Sequence, residues 1–179
     1  MSQLVYLFMM LVEIIMGKKT GDKALAVAMD FVRAIKKTPI VVNDARFFYA
    51  NRCIIPYLNE AMIMVSEGVI PALVENAAKQ IGMPVAPLQL TDETSLELGH
   101  RIMNATKEQM GSGYVTTGAD DVLTRMFEGE GRAGRKNRKG FYDYDEKGKR
   151  QSLWPDLGQH FPVADEQPDF EEVKNRLIL

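Results

Sequence analysis

Cysteine and histidine are nearly missing from this chain, which has one cysteine, Cys53, and two histidines, His100 and His160, in 179 residues. A single thiol excludes an internal disulfide. Nothing therefore marks the chain as a disulfide-stapled secreted domain, and it is expected to be cytoplasmic. One cysteine and two histidines also cannot build a zinc-type cluster, so no metal is expected. An excess of either charge is lacking as well. Lys and Arg number 22 against 24 Asp and Glu, a formal net charge of -2. That balance gives no overall pull toward nucleic acid or an anionic membrane. Nor is there an apolar run of the ~20 residues a membrane helix needs. Leu4–Met16 is strongly apolar, but Glu13 interrupts it, no Lys or Arg precedes it and no small-residue cleavage pattern follows. It reads as a buried strand and not as an export signal.

Hydrophobic residues make up 46% of the chain and charged residues 26%. This is an ordinary globular mix, with enough apolar material for one domain, or one domain plus a small appendage. Eleven methionines suit irregular core gaps or a surface that holds flexible apolar ligands.

Residues 11–15 form the expected first strand and 17–20 a turn. Asp22 is read as the N-cap of a helix whose apolar positions run from Ala24 to Ile35. Pro39 ends it, and Pro39–Val42 is a second, β-branched strand. Two short strands alone would need further strands, or another chain, for stability. Asp44 is read as the cap of a long helix ending at Gly68, with Phe47, Ile54, Leu58, Ala61, Met62 and Val65 on one stripe. Pro56 inside it should kink it. Cys53 is read as core. Asn51 shares the apolar stripe, and its amide must find a partner, water or ligand. Further helices are expected over 71–81, from a cap at Thr91 or Asp92 to Gln109, and over 120–128. A basic, glycine-rich loop fills 129–140, a strand 141–144, and a Pro- and acid-rich tail 155–169. A final helical pattern runs over 170–179.

Gly129–Gly134 satisfies the spacing G-x-G-x-x-G. It follows a helix and precedes a basic loop, whereas the dinucleotide motif follows a strand and opens a helix, so it is rejected as a nucleotide site. Arg132, Arg135, Lys136, Arg138 and Lys139 could grip phosphates of RNA or of CoA, or simply form a solvated loop. An RNA-binding sheet would also show aromatics in a recognisable frame, and only Tyr142 and Tyr144 are near. Glu13 has two readings. It is either a strand carboxylate with a local partner, or a catalytic helper that orients a histidine. No nucleophile motif is present.

The stretches LVEII (11–15), TPIVVND (38–44), ANRCIIPYLNEA (50–61), EGVIPAL (67–73), GMPVAPLQLTDE (82–93) and GRAGRKNRKGFYDY (131–144) resemble the 3-hydroxyacyl-CoA dehydrogenase family in order and spacing. The likeness is greatest to the multifunctional fatty-acid oxidation proteins that fuse this enzyme to an enoyl-CoA hydratase. It covers nearly the whole chain up to about Trp154. In that family an N-terminal Rossmann domain binds NAD, and a helical C-terminal domain closes over the acyl-CoA and supplies dimer contacts.

The resemblance implies a mainly α fold, a helical domain like the C-terminal domain of 6-phosphogluconate dehydrogenase, with two short N-terminal strands left over from a Rossmann sheet. It divides the chain into a strand–helix–strand remnant of the NAD-binding domain (1–44), a helical substrate and dimerisation domain (45–154), and a tail or linker with a short helix (155–179). The implied function is NAD-dependent oxidation of 3-hydroxyacyl-CoA in fatty-acid β-oxidation. The resemblance also assigns residues. Glu13 matches the glutamate that pairs with the catalytic histidine, and Asn51 the substrate-contacting asparagine. The histidine position falls on Met1, and a second substrate-site position falls on Leu4, which cannot do the same work. Phe47 stands where the family has glycine. The expected chain therefore holds no cofactor of its own, NAD belonging to the full-length family, and is incomplete as an enzyme. Acyl-CoA and a second copy of the chain are the expected partners, with no nucleic acid and no membrane. The alternative is a non-catalytic acyl-CoA-binding or dimerisation module.

Overall fold

The structure is a computed structural model that describes residues 10–178. The chain divides into two compact units, Met1–Ile55 and Pro56–Leu179.

The first unit contains strand β1 (Leu11–Met16), helix α1 (Asp22–Ala34) and strand β2 (Thr38–Asn43). The strands pair in parallel, with Leu11 opposite Thr38, Glu13 opposite Ile40 and Met16 opposite Asn43. Parallel neighbours cannot be joined by a tight hairpin, and α1 is the crossover that joins them. The turn at 17–20 closes as expected, with Thr20 N donating to Gly17 O and Gly17 N donating to the Thr20 hydroxyl. Gly21, not Asp22, is the N-cap of α1. Asp22 lies one residue later, inside the first turn, where its charge still complements the helix dipole. Ile14 and Val32 are buried, while Val27 and Phe31 on α1 stay exposed.

Helix α2 (Ala50–Ser66) starts six residues after Asp44. It cannot start earlier, because Phe47 and Phe48 take positive φ values of 67° and 48°, which break a right-handed helix. Pro56 lies inside the helix.

In the second unit, the rest of α2 packs with α3 (Pro71–Gln80), α4 (Pro87–Thr94), α5 (Leu96–Met110) and α6 (Gly118–Thr124), which runs on through a π-helical turn at Arg125–Gly129. The core is built from Met64, Val65, Val74, Leu88, Leu96, Val122, Met126 and Phe141. The single helix expected from Thr91 or Asp92 to Gln109 is two helices. Ser95 takes φ 88° between them, and Leu96 N leaves the helical pattern to donate to Ala133 O. Asp92 is therefore an interior residue of α4 and not a cap. Thr117 and Asp120 form a capping box that starts α6 at Gly118, two residues before the expected start. Strand β3 (Tyr142–Tyr144) pairs antiparallel with β4 (Arg150–Leu153).

Residues 155–178 carry two helices, α7 (Leu157–His160) and α8 (Phe170–Ile178). Val173 and Leu177 of α8 are buried in the core of this unit. Arg176 donates to Glu60 and to Glu67, each at 2.6 Å. Gly68, with φ 88°, lets this segment approach closely. Ala164 N donates to Gly68 O at 2.9 Å, and a β-carbon at Gly68 would meet Ala164 N at 2.7 Å.

Candidate functional site

Glu13 is half-buried on β1, and its Oε1 accepts two amide protons, from Tyr49 N at 2.8 Å and from Ala50 N at 2.7 Å. These amides open α2, and the first N–H groups of a helix have no partner within it. A carboxylate from a strand 36 residues away thus does the work expected of Asp44. It also brings its negative charge to the positive end of the helix dipole. Among the described residues Oε2 of Glu13 takes no hydrogen bond.

Asn51 follows directly after the capped amides and is exposed. The structure therefore brings the two expected site residues, Glu13 and Asn51, to the same turn of α2. Asn51 is not part of a packed stripe, and Cys53, read as core, is exposed as well. The first turns of α2 present their side chains outward, and burial begins at Tyr57. The positions of the expected histidine, Met1, and of Leu4 lie outside the described residues. His100 and His160 both belong to the second unit. His100 is buried, 3.4 Å from Glu128 and tilted against Phe127. His160 stacks on Trp154 with ring centres 4.8 Å apart.

Two buried carboxylates in the second unit escaped the sequence reading of chemistry. Asp92 Oδ1 accepts from Phe141 N at 2.7 Å, and Oδ2 from Tyr142 N at 2.9 Å and from the Tyr144 hydroxyl at 3.0 Å. Burial pushes its pKa up to about 7, against the pull of those donors and of Arg132. Glu75 accepts from Leu88 N at 2.7 Å and from the Tyr142 hydroxyl at 2.5 Å. Burial raises its pKa too. The signal for Glu75 was available, since it shares α3 with the buried Val74, Ala77 and Ala78. Together these groups tie the basic loop to the helices. Arg132 is part of that tie. It is buried, donates to Gly140 O at 2.7 Å and to Asp143 at 2.5 Å, and lies over the Trp154 ring. It is thus no phosphate ligand. Lys136 pairs with Glu97, which leaves Arg135, Arg138 and Lys139 as the loop's exposed cations without an ion pair among the described residues.

No cluster of metal-ligating side chains occurs among the described residues, and no described helix is long and apolar enough to cross a membrane. The segment with G-x-G-x-x-G spacing lies between the π-helical turn and a short 3-10 turn at Arg135–Asn137, with no strand leading into it. In the β1–α1 turn the amide of Gly17 is already closed onto Thr20.

Two family descriptions match consecutive parts of this arrangement. "3-hydroxyacyl-CoA dehydrogenase, NAD binding domain" covers residues 6–45, and "3-hydroxyacyl-CoA dehydrogenase, C-terminal domain" covers residues 48–144. The chain belongs to the 3-hydroxyacyl-CoA dehydrogenase family. Among curated relatives, the fatty acid oxidation complex subunit alpha of Shewanella loihica is 37% identical over 164 residues, which is 89% of this chain and 22% of that protein. The same subunit of Shewanella frigidimarina is 37% identical over 81% of this chain and 20% of its own length. The chain thus spans about a fifth of the curated relatives it matches. Solved structures of the family share this fold. A (S)-3-hydroxybutyryl-CoA dehydrogenase from Ralstonia eutropha superposes with a TM-score of 0.68 at 29% identity, over 78% of this chain and 49% of that one. The dehydrogenase part of multifunctional enzyme 1 from C. elegans gives 0.68 at 25% identity, over 95% of this chain and 38% of that one.

Proposed function

We propose that the chain is the acyl-CoA-binding side of an NAD-dependent 3-hydroxyacyl-CoA dehydrogenase of fatty-acid β-oxidation, with Asn51 as a substrate ligand and Glu13 as a positioning residue. The observation that carries this reading is that Glu13, from β1, caps the helix turn on which Asn51 sits. Glu13 fixes the start of α2 through Oε1, and thereby sets where the Asn51 amide points. Its Oε2 is available for the ring N–H of a histidine, whose cation a carboxylate stabilises during proton transfer. Asn51 is exposed, so its amide can donate to a thioester or keto oxygen without first leaving a partner in the core. Hydride chemistry is supplied by NAD, which this reading places outside the described residues. The reading also carries the expected homodimer.

The test is calorimetric titration of the purified chain with acetoacetyl-CoA, beside an assay of NADH loss. Binding weakened about tenfold by Asn51→Ala, the worth of one good hydrogen bond, with NADH loss at the blank rate, supports the reading. No heat of binding up to about 1 mM, the upper end of ordinary Michaelis constants, removes acyl-CoA from it. NADH turnover by the chain alone would show a nicotinamide site within it and overturn the incomplete-enzyme part.

A further inference from the structure

Far along the chain from Glu13 and Asn51, within the second unit, a cavity of about 280 Å3 opens between α4, the basic loop and the β3–β4 hairpin. It is lined by Arg135, Lys147, Lys149 and Arg150, with Tyr144 and a single carboxylate, Glu93. We propose that this cavity is a phosphate-binding site for a small phosphorylated ligand. The inference does not rest on the proposed function.

Three observations carry it. First, three of the four cations lack a carboxylate partner among the described residues, and the fourth, Arg150, has only the buried Glu75 near it. Other basic residues of the region are neutralised, Arg132 by Asp143 and Lys136 by Glu97, whereas Arg135, Lys147 and Lys149 have no carboxylate within ion-pair distance among the described residues. Arg150 spends its guanidinium on the neutral Gln89 amide and on the face of Tyr142. Glu93 is engaged by Gln89 at 2.8 Å. A concave wall carrying four cations against one carboxylate focuses positive potential into the cavity.

Second, the wall is held in place. Asp145 Oδ1 accepts from Lys147 N at 2.9 Å and from Lys149 N at 2.8 Å, so this carboxylate holds the backbone of the turn. Arg135 Nε donates to Gly148 O at 3.2 Å, which joins the loop to the hairpin across the cavity. Gly148 takes φ 71° at the turn. The Tyr144 hydroxyl is anchored on the buried Asp92 at 3.0 Å.

Third, the size fits a phosphate group. About 280 Å3, open to solvent, holds a phosphate or diphosphate and leaves the rest of a ligand outside. Charge-assisted bonds from guanidinium and ammonium groups are the strong kind for such oxygens.

Phosphate chemistry could arrive from a CoA ester or from a free phosphorylated metabolite. The experiment is an amide NMR titration of the whole chain with pyrophosphate at fixed ionic strength. The proposal expects saturable shifts at residues 147–150 and Arg135. It expects an affinity at least about tenfold weaker in Lys149→Gln and in Lys147→Gln, and unchanged in Arg138→Gln, which lies outside the cavity. Displacement of pyrophosphate by CoA, which carries both a diphosphate and a 3′-phosphate, would support the site and identify the CoA ester as its source. Binding that CoA leaves untouched would support the site for a free metabolite. Shifts that never saturate, or that weaken equally with Arg138→Gln, would mark a diffuse polyanion surface and overturn the proposal.

Discussion

The Asp92 carboxylate occupies the space that a β-carbon on Gly140 would need, so the two residues fit together through a missing side chain. The next two amides of the loop, Phe141 N and Tyr142 N, then point straight at that carboxylate. Gly140→Ala should push Asp92 away and strand two buried amides. The expected cost is about 2–4 kcal/mol, from overpacking plus unpaired donors. Gly113→Ala, with open space around its β-carbon, should stay within about 0.5 kcal/mol. Urea unfolding of both variants checks this, and equal midpoints would show that the loop yields freely.

Asp92 also sets a pH dependence. Its pKa is about 7 in the folded chain, against ~3.9 for an unperturbed aspartate. A group whose pKa is raised by folding contributes stability that is complete below the unfolded value and is lost as pH rises through the folded one. Stability should therefore fall between about pH 4 and pH 7, by roughly 2–4 kcal/mol from this group. Glu75 is shifted in the same direction and adds to the fall. Asp92→Asn should flatten the slope. Unfolding at pH 5 and pH 8, in the wild type and the variant, measures it. A slope unchanged by the substitution would mean that Asp92 does not titrate in this window.

The cap on α2 can be weighed separately from any role in turnover. Glu13→Ala leaves Tyr49 N and Ala50 N without their acceptor and should cost about 1–2 kcal/mol. Glu13→Gln keeps an acceptor and loses the charge at the helix dipole, so it should cost only about 0.3–1 kcal/mol. Hydrogen exchange at Tyr49 and Ala50 should speed up in the alanine variant. Protected amides there would contradict the cap.

Phe47 keeps the left-handed backbone, with φ 67°, at the position where the family's glycine is expected. That conformation costs a residue with a β-carbon about 1–2 kcal/mol. The Arg46 guanidinium lies 4.7 Å from the centre of the Phe47 ring, a contact worth about 0.5–1 kcal/mol at an exposed site. Phe47→Ala should lose the contact and keep the strain. Phe47→Gly loses both, and should be more stable than the alanine variant by about 0.5–1 kcal/mol, less strain outweighing greater unfolded-state freedom. Thermal unfolding of the pair decides it, and the reverse order would show that no strain is stored here.

Helices α1, α3 and the final helix were legible in the sequence from their helical spacing, and β1 and β2 from short apolar or β-branched runs, because such local patterns need no distant partner. What was hidden depends on contacts far along the chain. The break at Ser95 is a single backbone angle, and Asp92 looks like a cap until its partners, 49 and 50 residues on, are brought to it. Glu13 was conspicuous as a carboxylate in an apolar run. Its partners at the head of α2 were not, since nothing local links residues 36 positions apart. The readings of Asn51 as a stripe residue and of Cys53 as core failed because the apolar repeat in α2 begins to be used only from Tyr57 onward.

That outward-facing stretch of α2 gives the experimenter a ready handle. The chain's one thiol, Cys53, is exposed and sits two residues beyond Asn51, about 200° around the helix at 3.6 residues per turn. A fluorophore or spin label attached there needs no engineered cysteine and no removal of competing ones. It would report on the surroundings of Asn51 from the opposite side of the helix, leaving the face that carries the amide unobstructed.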